Sequence, residues 1–208
     1  TSYYLAHGGG LRLEESDMTD GTGAMTSLSS DPRNPCSIPG RGFPGARDAR
    51  GFEKQEDVLT FTTETLKQPV EWTGAVEVQL YVSSSAPDTD VLVRISDVYP
   101  DGRSILLVGY PWRMRYREGF DKQVLMNPDR VHPVRFRVGW MSQIFNAGHR
   151  IRVTVASTGA PLYEPNPQTG KPATIEFPAD ARKAVNTIHH GSRFSSRILA
   201  PLRVAGSR

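Results

Sequence analysis

The chain has 208 residues, with 25 Lys and Arg against 22 Asp and Glu, for a formal charge of +3. That length suits one all-β domain, and no apolar run approaches the ~20 residues a membrane helix needs. Nineteen glycines, 16 prolines and dispersed aromatics favour many short strands joined by turns over a helical fold.

The chain begins at Thr1, not methionine, which suggests an excised fragment or a processed piece. Residues 1–13 lack the basic and apolar regions of a secretory signal. Residues 1–56 read as a long irregular N-terminal arm. Tyr3-Tyr4-Leu5 is one candidate strand and Gly8-Gly9-Gly10 a turn. Asp31-Pro32-Arg33-Asn34-Pro35 and Ile38-Pro39-Gly40-Arg41-Gly42 are loop chemistry, because proline removes a donor and glycine opens unusual φ. So long a loop is uncommon unless it packs on something, either a neighbouring domain or the β body. Cys36 is the single cysteine. It excludes an internal disulfide, carries no sign of an oxidising compartment, and reads as a spare thiol; a cytoplasmic location is favoured.

From residue 57 to 208 the texture is a β domain. Val58 to Thr63 is β-branched and aromatic. Val76, Val78, Leu80 and Val82 share one face of a strand, with Glu77, Gln79 and Ser83 on the other. Val91, Val93 and Ile95 repeat the pattern, and Tyr99-Pro100-Asp101-Gly102-Arg103 is a tight reversal. Ile105 to Val108, Trp112 to Arg117, Val134 to Val138, and Ile151 to Val155 follow. Ile175 to Phe177, Asn186 to His189 and Ile198 to Val204 close the series at roughly nine to eleven strands. Only Met141 to Asn146 and Asp180 to Ala184 invite a turn of helix. Without crossover helices, parallel βαβ units are excluded. The expected fold is all-β: a two-sheet antiparallel jelly-roll sandwich of the galactose-binding-like kind.

The arginines of the strands, Arg113, Arg115, Arg117, Arg135, Arg137, Arg150 and Arg152, alternate with apolar residues. They read as solvated or domain-interface faces, and no nucleic-acid motif accompanies them. No Gly-x-Ser-x-Gly nucleophile elbow occurs. His149 follows Gly148 and reads as lining a strand. His189 and His190 are adjacent and point to opposite faces of a strand, a poor arrangement for one metal ion. Asp88 and Asp90 stand two apart, a spacing open to calcium, but turn roles for Asp88 and Asp97 are favoured. The expectation is no catalytic residue, no metal and no cofactor in this chain.

Several motifs recur in one order. They are Asp57-Val58-Leu59-Thr60-Phe61, Val76 to Val82, Ser84-Ser85-Ala86-Pro87-Asp88-Thr89-Asp90 and Asp97-Val98-Tyr99-Pro100-Asp101-Gly102-Arg103. Ala147-Gly148-His149-Arg150-Ile151-Arg152, Asn166-Pro167-Gln168-Thr169-Gly170, Asn186-Thr187-Ile188-His189-His190 and Ser196-Arg197-Ile198-Leu199-Ala200-Pro201 follow. Together they resemble the C-terminal domain of the X-Pro dipeptidyl-peptidase and cocaine esterase class of serine hydrolases, which includes α-amino-acid ester hydrolases. Arg41 to Asp48 resembles the loop leading into that domain.

The resemblance implies a parent with an α/β-hydrolase domain, a Ser-Asp-His triad and a helical cap. The triad precedes this region, so His149 and His189 match structural positions and no catalytic residue carries over. The implied partner is the α/β-hydrolase domain of the same chain, with neither nucleic acid nor membrane, and homo-oligomerisation stays open. Departures lie at Ser29-Ser30, at Trp140-Met141 and at Tyr110-Pro111-Trp112. The last reads as a bulky aromatic turn, and Tyr110, Pro111 and Trp112 are the candidate residues for the substrate cleft. The alternative is a carbohydrate-binding module with Trp72, Trp112 and Trp140 as sugar platforms.

Overall fold

An alternating strand needs a partner on each edge and an apolar layer beneath one face. The computed structural model, which describes residues 1–13, 24–38, 46–171 and 179–201, supplies both. Its described strands are β1 (Ser2–Ala6), β2 (Gly10–Arg12), β3 (Met25–Ser30), β4 (Val58–Thr62), β5 (Val70–Ser84) and β6 (Asp90–Val98). They continue as β7 (Ser104–Arg113), β8 (His132–Phe145), β9 (Arg150–Ala156), β10 (Ala184–His189) and β11 (Arg197–Leu199). One short helix, α1 (Arg50–Glu53), precedes β4.

The strands form two layers. In the first, β5 runs antiparallel to β8 from Val70↔Phe145 to Val82↔His132. The other edge of β5 takes β10 and β11, and β10 takes β3. The second layer runs β4–β9–β6–β7, antiparallel throughout. β1 pairs with β11 and β2, and β2 reaches β4 through one parallel pair, Gly10↔Thr62. The hydrogen-bond path is therefore continuous although the core is a sandwich. That parallel pair is the exception to antiparallel pairing among the named strands.

Between the layers lie Val76, Val78, Leu80 and Val82 of β5, Val93 and Ile95 of β6, and Ile151, Val153 and Val155 of β9, in one apolar cluster. Trp72 is fully buried there, with its ring 5.1 Å from Tyr3 and 5.3 Å from Phe145. At ~25 cal/mol per Å² of apolar surface, this burial is the main force holding the layers together. The second layer is also covered outside. Cys36, Ile38 and Phe52 of the 31–56 segment pack on Val58, Leu92 and Ala156. All nine residues of β6 are consequently buried, as in a strand covered on both faces.

Several sequence expectations are corrected. β2 and β3 fall in the stretch read as irregular; β3, Met-Thr-Ser-Leu-Ser-Ser, has only Leu28 as a buried apolar anchor, so its alternation is faint. Met141 to Asn146 is no helical turn: pairing with β5 carries β8 through Phe145. Residues 179–180 are a turn, and β10 starts at Ala184. Trp112 to Arg117 is not one strand; β7 ends at Arg113 and Met114–Tyr116 makes a 3-10 turn. Ile175 to Phe177, residues 39–45 of the arm and 202–204 of the last expected strand lie outside the described residues.

Candidate functional site

Polar groups buried in a β sandwich must be met by partners or neutralised. At one end of the molecule they are met within the chain. Asp88 is fully buried and accepts hydrogen bonds from the backbone N–H of Arg115 (3.0 Å) and from its Nε (2.8 Å). Asp90 receives a bidentate Arg113, at 2.9 and 3.0 Å. The Asn166 amide bridges the two carboxylates, donating 2.7 Å to each. Gln168 donates its backbone N–H to Asn166 Oδ1 and its side chain to the Ser30 carbonyl. Asn186 reaches Thr89 and Ser157. Burial pushes the Asp90 carboxyl upward, with Arg113 and Asn166 opposing it.

This network corrects two expectations. Asp88 pairs with Arg115 and is not a turn cap, and Arg115 is 4 % exposed and not on a solvated face. Their carboxylate oxygens already have donors. Among the described residues no group of three or more His, Cys, Asp or Glu stands together as a metal set.

The histidines are held by different neighbours. His149 Nδ1 lies 2.8 Å from Asp97 Oδ1, and its ring lies 4.4 Å from that of Tyr99. Gln143 donates to the other Asp97 oxygen at 3.3 Å. Asp97 thus orients a histidine; it does not brace the hairpin. The pair resembles a base and its orienting carboxylate, but among the described residues no hydroxyl or thiol hydrogen-bonds His149 Nε2, so the third member of a nucleophilic set is missing. His189 Nε2 meets Ser83 Oγ at 2.9 Å, and burial lowers its pKa. His190 Nε2 meets Thr26 Oγ1 at 2.8 Å. The Cys36 thiol donates to the Thr158 carbonyl, and burial pushes its pKa up to about 12. A thiol so fully protonated is a poor nucleophile.

Tyr110, Pro111 and Trp112 lie inside β7 and not in a turn. β7 ends the second layer, and an edge strand tolerates proline because one side of its backbone needs no ladder donor. The Trp112 ring stacks on Phe136 of β8 at 5.3 Å and meets Phe120 at 5.0 Å. Phe120 is 72 % exposed and Tyr110 47 %. Together they form an aromatic rim where β7 meets β8. Gly139 of β8 lets the strands close: a Cβ there would stand 2.3 Å from the Val108 methyl. The three tryptophans do not form a common platform. Trp72 is buried, Trp112 is held by its aromatic neighbours, and Trp140 is exposed beneath Arg137.

The architecture has counterparts. A family model described as the X-Pro dipeptidyl-peptidase C-terminal non-catalytic domain matches residues 3–199. The chain belongs to this family. It is similar to a cocaine esterase of Rhodococcus sp. (strain MB1 Bresler), 36 % identical over an alignment 213 positions long that covers 97 % of this chain and 37 % of that protein. Among solved structures, an α-amino acid ester hydrolase superposes with a TM-score of 0.89 at 30 % identity, covering 97 % of this chain and 36 % of that one. An aminopeptidase from a marine sediment Thaumarchaeota archaeon gives 0.89 at 30 %, with 98 % and 36 % covered. The chain therefore spans little more than a third of the length of these relatives. No helix among the described residues is long and apolar enough to cross a membrane.

Sequence reasoning missed Arg94, Asn166 and Asp97's role toward His149. One signal was available: Arg94 is a lone cation in the otherwise apolar run Val91 to Ile95, where a charge calls for a partner.

Proposed function

We propose that this chain is the accessory C-terminal β domain of a serine hydrolase acting on esters, amides or X-Pro dipeptides. In this reading it packs on an α/β-hydrolase domain of the same parent and shapes the substrate cleft, while the described parts of residues 1–56 lie in or on its own β body. The observation that carries it is the family match over residues 3–199, together with relatives that are hydrolases about three times as long. The chemistry would be acyl transfer through a serine ester, performed by residues outside this chain. Here Asp97 and His149 serve as a fixed polar clasp between β6 and the turn that leads into β9.

The aromatic rim is the surface offered to the cleft. Tyr110 is exposed on an edge strand and Trp112 is braced from both sides, so the rim is stiff and apolar, as a wall for a substrate's side chain needs to be. The carbohydrate-module alternative is weaker, because only Trp140 of its three tryptophans offers an open ring face.

One experiment with two arms tests this reading. The purified chain is expected to turn over a p-nitrophenyl ester no faster than a heat-killed control, and measurable turnover would sink the assignment. In the parent hydrolase, Trp112→Ala is expected to raise KM several-fold while leaving kcat nearly unchanged. An unchanged KM would remove the rim from the cleft.

A further inference from the structure

The outer face of the second layer holds a buried guanidinium with one nitrogen left without an acceptor. Arg94 of β6 is 3 % exposed, and its guanidinium carbon stands 4.3 Å over the Phe52 ring. Its Nη1 is buried without a hydrogen-bond partner. The nearby carboxylate, Glu53, is already engaged: Oε1 accepts from Ser104 at 2.6 Å and Oε2 from Arg152 at 2.7 Å. Burial lowers the Arg94 pKa, the Glu53 carboxylate opposes that, and Arg47 beside it adds to the lowering. Two further buried hydroxyls, Ser96 Oγ and Thr154 Oγ1, also lack partners. Thr154 is the register partner of Arg94, and Ser96 lies two residues along the same face.

Arg94 opens into a cavity of about 320 Å³. Its lining is apolar at Ile38, Leu92, Leu106, Leu162 and Tyr163, and Arg47 brings a second cation to it. Gly109 leaves room for the arginine stem, since a Cβ there would stand 2.8 Å from Arg94 Cγ and 3.2 Å from the Val93 carbonyl oxygen. The volume sits at the low end of the ~300–1,000 Å³ typical of small-molecule sites.

We propose that this cavity is a binding site for a small monocarboxylate with an aliphatic or aromatic body. A guanidinium is a planar fork that matches a carboxylate. The apolar walls suit a hydrocarbon body. The site lies on the face opposite the sandwich core, on the other side of β6 from Val93 and Ile95.

The test is titration of the chain with benzoate and hexanoate, followed by calorimetry or NMR shifts, with benzamide as the uncharged control. Both acids are expected to bind at millimolar concentration or tighter. Arg94→Met is expected to weaken them about tenfold or more, as loss of a charge-assisted pair does, and benzamide to bind comparably weakly to both proteins. Arg94→Lys keeps the charge, loses the fork and is expected to fall between. Equal circular dichroism and melting temperature establish that the variants fold. No binding by the wild-type chain, or binding indifferent to Arg94→Met, overturns the proposal. So does binding by the free chain but not by the parent hydrolase, which would assign the cavity to an acidic side chain of the remaining protein.

Discussion

Two arginines of the second layer and its margin are equally buried and differently treated. Arg115 is 4 % exposed and Arg94 3 %. Arg115 lies against Asp88, with Gln123 as a further acceptor at 3.2 Å and Asn166 holding Asp88 from the far side. Arg94 has an aromatic ring on one face and no acceptor at Nη1. Desolvating a charge costs several kcal/mol in either place. At Arg115 the cost is offset within the domain, so that network is scaffold. At Arg94 the Phe52 ring and the nearby Glu53 charge offset part of it, but Nη1 has no acceptor within the described residues, which is where the proposed ligand would bind.

The sharpest way to break this contrast is to remove the acceptor at the satisfied end. Asp88→Ala leaves Arg115 buried and unpaired, and the expected loss is about 3–5 kcal/mol of unfolding free energy, read from the midpoint of a urea titration. A loss below about 1 kcal/mol would mean that water reaches Arg115 and that the network is not holding the fold. The reciprocal change at the other arginine is expected to run in the opposite direction. Arg94→Met replaces a buried, incompletely hydrogen-bonded charge with an apolar side chain of similar length, against Phe52 and Leu92. Its expected effect on the free chain is neutral to a gain of about 1 kcal/mol. Strong destabilisation would show that Arg94 has a structural partner and would erase the difference between the regions.

Both regions were partly legible in the sequence, to different depths. The inward faces at Val76–Val82 and Val91–Ile95 follow from period-two alternation, because a slip of one residue would expose every valine. The acidic motif Asp88-Thr89-Asp90 was visible too, but its partners come from β7, the turn after it and the 166–168 segment. Sequence spacing says nothing of contacts made across 27 or 78 positions. Turn chemistry misled at Tyr110-Pro111-Trp112, since proline signals a turn unless the strand lies at an edge, and edges are a property of the assembled sheet. β3 hid for a related reason. Four of its six residues are Ser or Thr, and their place is set by ladder bonds to β10 and by contacts such as Ser27 with Thr187 at 2.8 Å.

The smallest effect belongs to an ion pair that is neither buried nor unanswered. Arg135 on the outer face of β8 meets Glu77 of β5 at 2.7 Å, with the arginine side chain 63 % exposed. Water already solvates both groups, so their attraction is screened and the ordering of two long side chains cancels much of it. Arg135→Ala is expected to shift stability by no more than about 0.5 kcal/mol, and a double-mutant cycle with Glu77→Ala to give a coupling of similar size. A coupling of about 2 kcal/mol or more would mean that this face is drier than its exposure indicates. The ordering of the three arginines by depth, and by whether a partner is present, would then need another cause.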